Sequence, residues 1–452
     1  MKNIIFKILA VLMVFLQLSC KKFLDIDPPK ESLVGSEIFK NDDVATSAMT
    51  GVYQNMIANG YASGSTTGIT ALTGFSADEF ISHNSSLTEF YDNQLTPLNG
   101  TIANSLYYAP YRHIYAVNSI LEGLSNANSV STLVKAQLQG EALFVRAFIY
   151  FYLVNLFGEI PLHTTSDYRI TQIAPKSSIA NVYSQILKDL KQAELLLSDN
   201  YITIERVRPN KGAVLALLAR VYLYTGDFVN AEKHASQVID KASYKMVAVN
   251  EVFLKNSQEA IWQLMPNPNN NTSEGLTFIL AAAPTFATLR PNFVLNAFEA
   301  NDSRKINWIG SYGTHYFPFK YKVRSSATVT EYSMVMRLAE QYLIRAEARA
   351  AQDNISGAIE DVDVIRGRAN LPLLKNSNPN IGKVELSTII QKERRVELFA
   401  EWGHRWLDLK RTGQASAVLA PLKPQWQNTD RFYPIPQTEI DRNPNVTQTE
   451  GY

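Results

Sequence analysis

The chain has 452 residues with 43 Lys plus Arg against 42 Asp plus Glu, so its formal charge of +1 supplies no drive toward nucleic acid or an anionic membrane surface. Hydrophobic residues make up 46% and aromatics 11%, enough to bury a large core and to exclude disorder over most of the length. The single cysteine, Cys20, excludes an internal disulfide and a cysteine-based zinc site.

The N-terminus accounts for that thiol. Lys2 and Lys7 flank a positive start, and residues 8–16 form an unbroken apolar run of signal-peptide length. The run is too short to span a bilayer, which needs about 20 apolar residues. Ser19 immediately precedes Cys20, and the arrangement resembles a bacterial lipoprotein signal, departing from it at Gln17, where an aliphatic residue is usual. An ordinary secretory signal with an incidental cysteine is the alternative. On the lipoprotein reading, residues 1–19 are removed and Cys20 carries the lipid. Each buried methylene adds ~0.8 kcal/mol, so a multiply acylated cysteine stays anchored. Residues 20–35, with Pro28 and Pro29 together, read as an extended tether, and 36–452 as one domain.

Helical periodicity dominates the rest of the chain. In chain order, 43–58 pairs with 104–124, and 137–156 with 178–197. Within 212–241, Leu215, Ala219, Tyr222 and Leu223 share one face, and Ala231, Ala235, Val238 and Ile239 the next. Gly226 suits the left-handed end of the first helix there, and Asp227 the cap of the second. Residues 334–369 repeat the pattern with Asp353 at the turn. Helix–turn–helix units near 34 residues look like tetratricopeptide hairpins, and about four of them stack stably because each buries its apolar face against its neighbours. The expected fold is mostly α, with these hairpins packed against an irregular, loop-rich half containing short strands. That half comprises 59–100 and 246–324, where Gly, Ser, Thr and Asn mix with aromatics. Long irregular segments in a compact protein tend to be functional loops.

Chemical motifs are missing: there is no H-E-x-x-H, G-x-S-x-G or G-x-x-x-x-G-K-[ST]. No catalytic, metal or cofactor residue is expected. The densest local text is "KERRVELFAEWGHRWLDLKRTG", 392–413. Leu398, Trp402, Trp406 and Leu409 recur every three or four residues, which predicts one helix with two indoles on a buried stripe. Glu393, Glu397 and Glu401 line a neighbouring face within reach of Arg394 and Arg405. A paired network fastening the helix to the fold is favoured over a site for a charged partner, and His404 falls under the same reading.

The stretch "ERRVELFAEWGHRWLDLKR", the ending "YPIPQTEIDRNPNVTQTEGY", "MRLAEQYLIRAEA", "NDSRK" and "CKKFLDIDPP" together resemble the SusD/RagB family, with the signature concentrated in 392–452. The resemblance implies an outer-membrane lipoprotein at the surface of a Gram-negative bacterium that captures nutrient for a partner TonB-dependent, SusC-like transporter. It also implies tetratricopeptide-like helices against an irregular ligand-binding half. The aromatic arc of the family's starch-binding founder has no matching motif here. Candidate ligand residues therefore rest on chemistry: sugar C–H faces stack on aromatic planes, and hydroxyls need polar partners. Trp308, Tyr312, Tyr316, Tyr91, Phe80, Asn93 and Asp78 have that chemistry and lie in the irregular segments. Core packing is the alternative for each. A glycan is the leading ligand, a peptide or other nutrient the second, and a protein-interaction scaffold without a small ligand the third.

Overall fold

The computed structural model describes residues 39–58, 61–62, 64–267 and 271–452. The signal segment, Cys20 and the tether lie outside the described residues. The helical half runs through α1 (Asp42–Ala58), α2 (Ile69–Ser76), α3 (Ala109–Asn126), α4 (Thr132–Phe157), α5 (Ile179–Leu196), α6 (Lys211–Tyr224) and α7 (Phe228–Ile239). It resumes with α8 (Leu338–Ala351), α9 (Ile355–Arg368), α10 (Lys383–Leu398) and α11 (His404–Arg411).

From α3 to α9 each helix packs on the next, and α10 folds back onto α8 and α9. The expected partners meet, α1 with α3 and α4 with α5. Because α3 also packs along α4, the array is continuous rather than divisible into isolated pairs. The α6–α7 turn forms as its residues dictate. Gly226 takes φ +75°, and the Asp227 carboxylate accepts from the Asn230 amide at 3.1 Å, closing an orphan donor of the first turn. At the α8–α9 turn Asp353 sits at φ +64° and Asn354 caps α9 through the Gly357 amide at 3.1 Å.

Helix α4 is long and apolar enough to cross a membrane, yet 94% of its most apolar window is buried inside the protein. It is the central core helix. Phe144 and Phe148 meet the Trp262 indole edge-on at 5.1 and 5.2 Å.

Three expectations are corrected. Residues 334–337 do not begin a helix: Ser333–Arg337 is a strand, buried along its whole length, paired antiparallel with Ala260–Leu264. A strand buried on both faces has no alternation to reveal it. The helix predicted from 104 starts with a π-type segment, Ile102–Tyr108, that runs into α3. The single helix over 392–413 is two, α10 and α11, separated by a link at 399–403.

The irregular half is organised by strands β1 (Phe80–Ser82), β2 (Ala260–Leu264), β3 (Ala287–Leu289), β4 (Ile309–Tyr312), β5 (His315–Pro318) and β6 (Ser333–Arg337). A four-stranded antiparallel sheet has the order β1-β3-β5-β4, and β2 pairs with β6. Phe80, Leu289, Tyr316 and Ser311 are in register across the four-stranded sheet.

Candidate functional site

The two ends of the four-stranded sheet have different chemistry. At one end Asp78 and Glu79 lead into β1, and Arg290 follows β3. Asp78 is 4% exposed and clamped by two guanidiniums: Arg405 donates to it at 2.6 and 2.9 Å and Arg395 at 2.7 Å. Burial would raise its pKa, but the Arg405 and Arg395 contacts outweigh burial and hold the carboxyl below the usual range. Glu79, equally buried, has only the Ala400 amide at 3.2 Å as a donor among the described residues, and burial pushes it up to about 7. Asn93 ends the short helix Thr88–Asp92 at φ +55°, and its Oδ1 accepts from the Lys423 ammonium at 2.7 Å. Tyr91 is half-buried under the Arg290 guanidinium, 5.1 Å from its ring centroid.

The other end is open. Tyr312 and His315 are opposite each other across the β4–β5 hairpin, so both side chains emerge on one face. Tyr312 is 43% exposed. His83, just past β1, meets His315 edge-to-face at 5.5 Å and hydrogen-bonds the Thr288 hydroxyl at 2.9 Å. Partial desolvation, then the neighbouring His315, hold the His83 imidazole below its usual range. Beneath them the Phe317 ring lies over Gly310, where a Cβ would come within 2.3 Å of it. Only glycine lets the ring lie that close to the strand.

The sequence-predicted ligand residues therefore divide. Tyr312 stands on the open face. Tyr316, one residue past His315, points to the opposite face and packs against the core. Trp308 is fully buried, its indole N–H donating to the Val249 carbonyl at 2.9 Å, and Phe80 stacks on Phe278 at 5.2 Å in the interior. Those two, with the ion-paired Asp78 and the buried Asn93, are corrected from ligand candidates to structural residues. The physical reason is that short ordered elements turn these side chains inward: Phe80 is on β1, Trp308 ends the short helix Ser303–Trp308, and Asn93 closes Thr88–Asp92. His83 and His315 were missed, because their proximity arises from strand pairing between distant segments and has no local signal.

The three glutamates of 392–413 find partners outside that segment. Glu393 pairs with Arg304 at 2.8 Å and Arg366 at 2.7 Å, and Glu397 with Arg337 at 2.5 Å, Arg304 at 3.2 Å and Arg368. Glu401 pairs with Arg337 at 2.9 Å and with Lys320. Arg394 instead binds Asp408 at 2.9 Å. The network is buried and paired, and the expected partners Arg394 and Arg405 are not the ones these glutamates use.

Comparison with known proteins agrees with this architecture. Residues 22–223 match a family profile described as starch-binding, associating with the outer membrane, and residues 277–452 match the SusD family profile. The chain is 25% identical over 520 aligned residues to SusD-like protein P38 of Formosa agariphila, covering 100% of this chain and 99% of that protein. Among solved structures, a SusD superfamily protein from Bacteroides vulgatus superposes with TM-score 0.80 at 23% identity, over 92% of this chain and 100% of its own. A laminarin binding SusD-like protein superposes with TM-score 0.76 at 22% identity, over 92% and 100%. These likenesses share the fold, and with both family profiles in chain order the conclusion is that this chain belongs to the SusD/RagB family.

Proposed function

We propose that the chain is a lipid-anchored surface protein that binds an oligosaccharide on the open face of the four-stranded sheet and passes it to a TonB-dependent, SusC-like transporter. Family membership makes it a surface nutrient-binding protein with such a partner, and not an enzyme. The observation that carries the glycan reading is the exposed grouping of Tyr312, His315 and His83 on the Phe317–Gly310 base. An exposed phenol ring offers a stacking plane for a pyranose C–H face, and two imidazoles beside it offer hydrogen bonds to hydroxyls. The laminarin-binding protein of the same fold supports a polysaccharide as ligand.

Native gels cast with a panel of polysaccharides, each assayed for released reducing ends, test this. One glycan should retard the mature chain without being cleaved. A Tyr312→Ala variant should bind that glycan roughly tenfold more weakly, the upper range of an aromatic contact of about 0.5–1.5 kcal/mol. Unchanged affinity in both Tyr312→Ala and His83→Ala, with circular dichroism intact, removes the ligand from this face. Retardation by no glycan, with binding of peptides instead, moves the ligand class. For the anchor, Cys20→Ala should leave the membrane fraction, and a variant that stays there refutes lipidation at Cys20.

A further inference from the structure

We propose that the cleft where the C-terminal ends of α4, α6 and α11 meet the start of α5 is a binding site for an oxyanion, a carboxylate, sulfate or phosphate group on a small ligand. The cleft encloses about 310 Å³, the lower end of the ~300–1,000 Å³ typical of small-molecule sites. It lies on the helical half, built from residues other than those of the open sheet face.

Three cations line it and, among the described residues, no carboxylate does. Arg411 is neutralised from behind, by Glu347 at 2.6 and 2.8 Å and Asp408 at 2.7 Å. The other two are not. Lys410 donates to the Asn155 carbonyl in the last turn of α4, and its ammonium is 4.4 Å from the Phe432 ring centroid. Arg431 lies 5.5 Å from the same centroid. Neither has a carboxylate partner among the described residues. Capping the end of α4 accounts for Lys410, since a cation there satisfies orphan carbonyls and complements the helix dipole. Arg431 is an exposed side chain, and its charge beside Lys410 is repulsive. Burial, then that guanidinium, hold the Lys410 ammonium well below its usual range.

The neutral groups in the cleft are also donors. The Tyr224 hydroxyl is buried without a hydrogen-bond partner among the described residues. The Tyr183 hydroxyl accepts from the Asn155 side-chain amide at 2.9 Å and keeps its own proton to give. The Arg431 guanidinium, the Lys410 amine and the Tyr183 hydroxyl are donors lining one cleft that holds no carboxylate among the described residues, a set that matches a ligand group that only accepts. An anion between Lys410 and Arg431 turns their repulsion into two attractions, and the remaining volume takes the body of a small molecule.

Calorimetric titration of the mature chain at constant ionic strength tests the site, with sodium phosphate, sodium sulfate and glucuronate as probes and glucose as the neutral control. Saturable binding of at least one oxyanion and none of glucose is expected. Arg431→Gln should weaken it at least tenfold, with unchanged thermal unfolding. Glucuronate preferred over the inorganic ions identifies an acidic sugar as the source, and the reverse identifies a free tetrahedral anion. Lys410→Met also removes the cap on α4, so Arg431→Gln, whose side chain makes no hydrogen bond among the described residues, is the deciding variant. Tyr312→Ala should leave oxyanion binding untouched, which separates this site from the sheet face. No saturable binding of any probe by the wild type, or binding indifferent to Arg431→Gln, overturns the proposal.

Discussion

Asp78 and Glu79 are adjacent and both buried, yet their pKa values are pushed in opposite directions, because two guanidiniums reach the first and one backbone amide the second. Glu79 titrates near 7 in the folded protein against an ordinary value of 4.5, so between these pH values the unfolded chain has lost the proton that the folded one keeps. Stability therefore falls as pH rises across that window. Glu79→Gln should flatten the slope and be more stable than wild type at pH 8 by up to about 3 kcal/mol, read by urea unfolding at pH 5 and pH 8. Trp308 makes a different point. Its indole is buried and bonded to the Val249 carbonyl, so Trp308→Phe leaves that carbonyl unpaired and should cost about 1–3 kcal/mol while leaving ligand affinity unchanged. Reduced affinity at wild-type stability would return Trp308 to the ligand site. Burial separates Trp308 from Tyr312, and composition cannot, because both are aromatics in the same irregular segment.

At the scale of elements, the link between α10 and α11 shows how tertiary contacts override a periodic pattern. Leu398, Trp402, Trp406 and Leu409 keep helical spacing, and all four are buried. Yet Ala400, Trp402 and Gly403 take φ of +52°, +45° and +74°. The link is held from outside: Thr70 accepts from the Trp402 amide at 3.0 Å, and the Met334 carbonyl from its indole at 2.8 Å. These bonds offset a strained backbone of about 1–3 kcal/mol per residue. Gly403 also packs on Thr73, whose hydroxyl would be 2.7 Å from an added Cβ. Gly403→Ala should destabilise by about 1–3 kcal/mol in denaturant unfolding, and a neutral result would show that the link tolerates a side chain. Glu397 on α10 is ionised against burial by Arg368, Arg337 and Arg304. Glu397→Gln removes a carboxylate shared by three buried guanidiniums, which keep Asp302, Glu393, Glu259 and Glu401 as partners, and should cost about 1–3 kcal/mol by the same measurement.

For the whole molecule, the charge network joins the two halves. Arg337 on β6 bonds Glu259, just before β2, at 3.0 Å and Glu397 on α10 at 2.5 Å, while Arg304 in the irregular half reaches Glu393 at 2.8 Å. Helices and sheet should therefore unfold together, in one transition that coincides by tryptophan fluorescence and far-ultraviolet circular dichroism. Two separated transitions would mean independent halves. Much of the local order was legible: helix faces, the Gly226–Asp227 turn and the turn at Asp353 follow from spacing and backbone preference, which act within a few residues. So were the family and the inward-facing indoles of 392–413, since motif order and apolar residues are written in the chain itself. The pairing of His83 with His315, the burial of Trp308 and Phe80, and the meeting of Lys410 with Arg431 were settled only by tertiary structure. Each depends on which distant segments touch, and that is decided by the packing of the whole core rather than by any local preference.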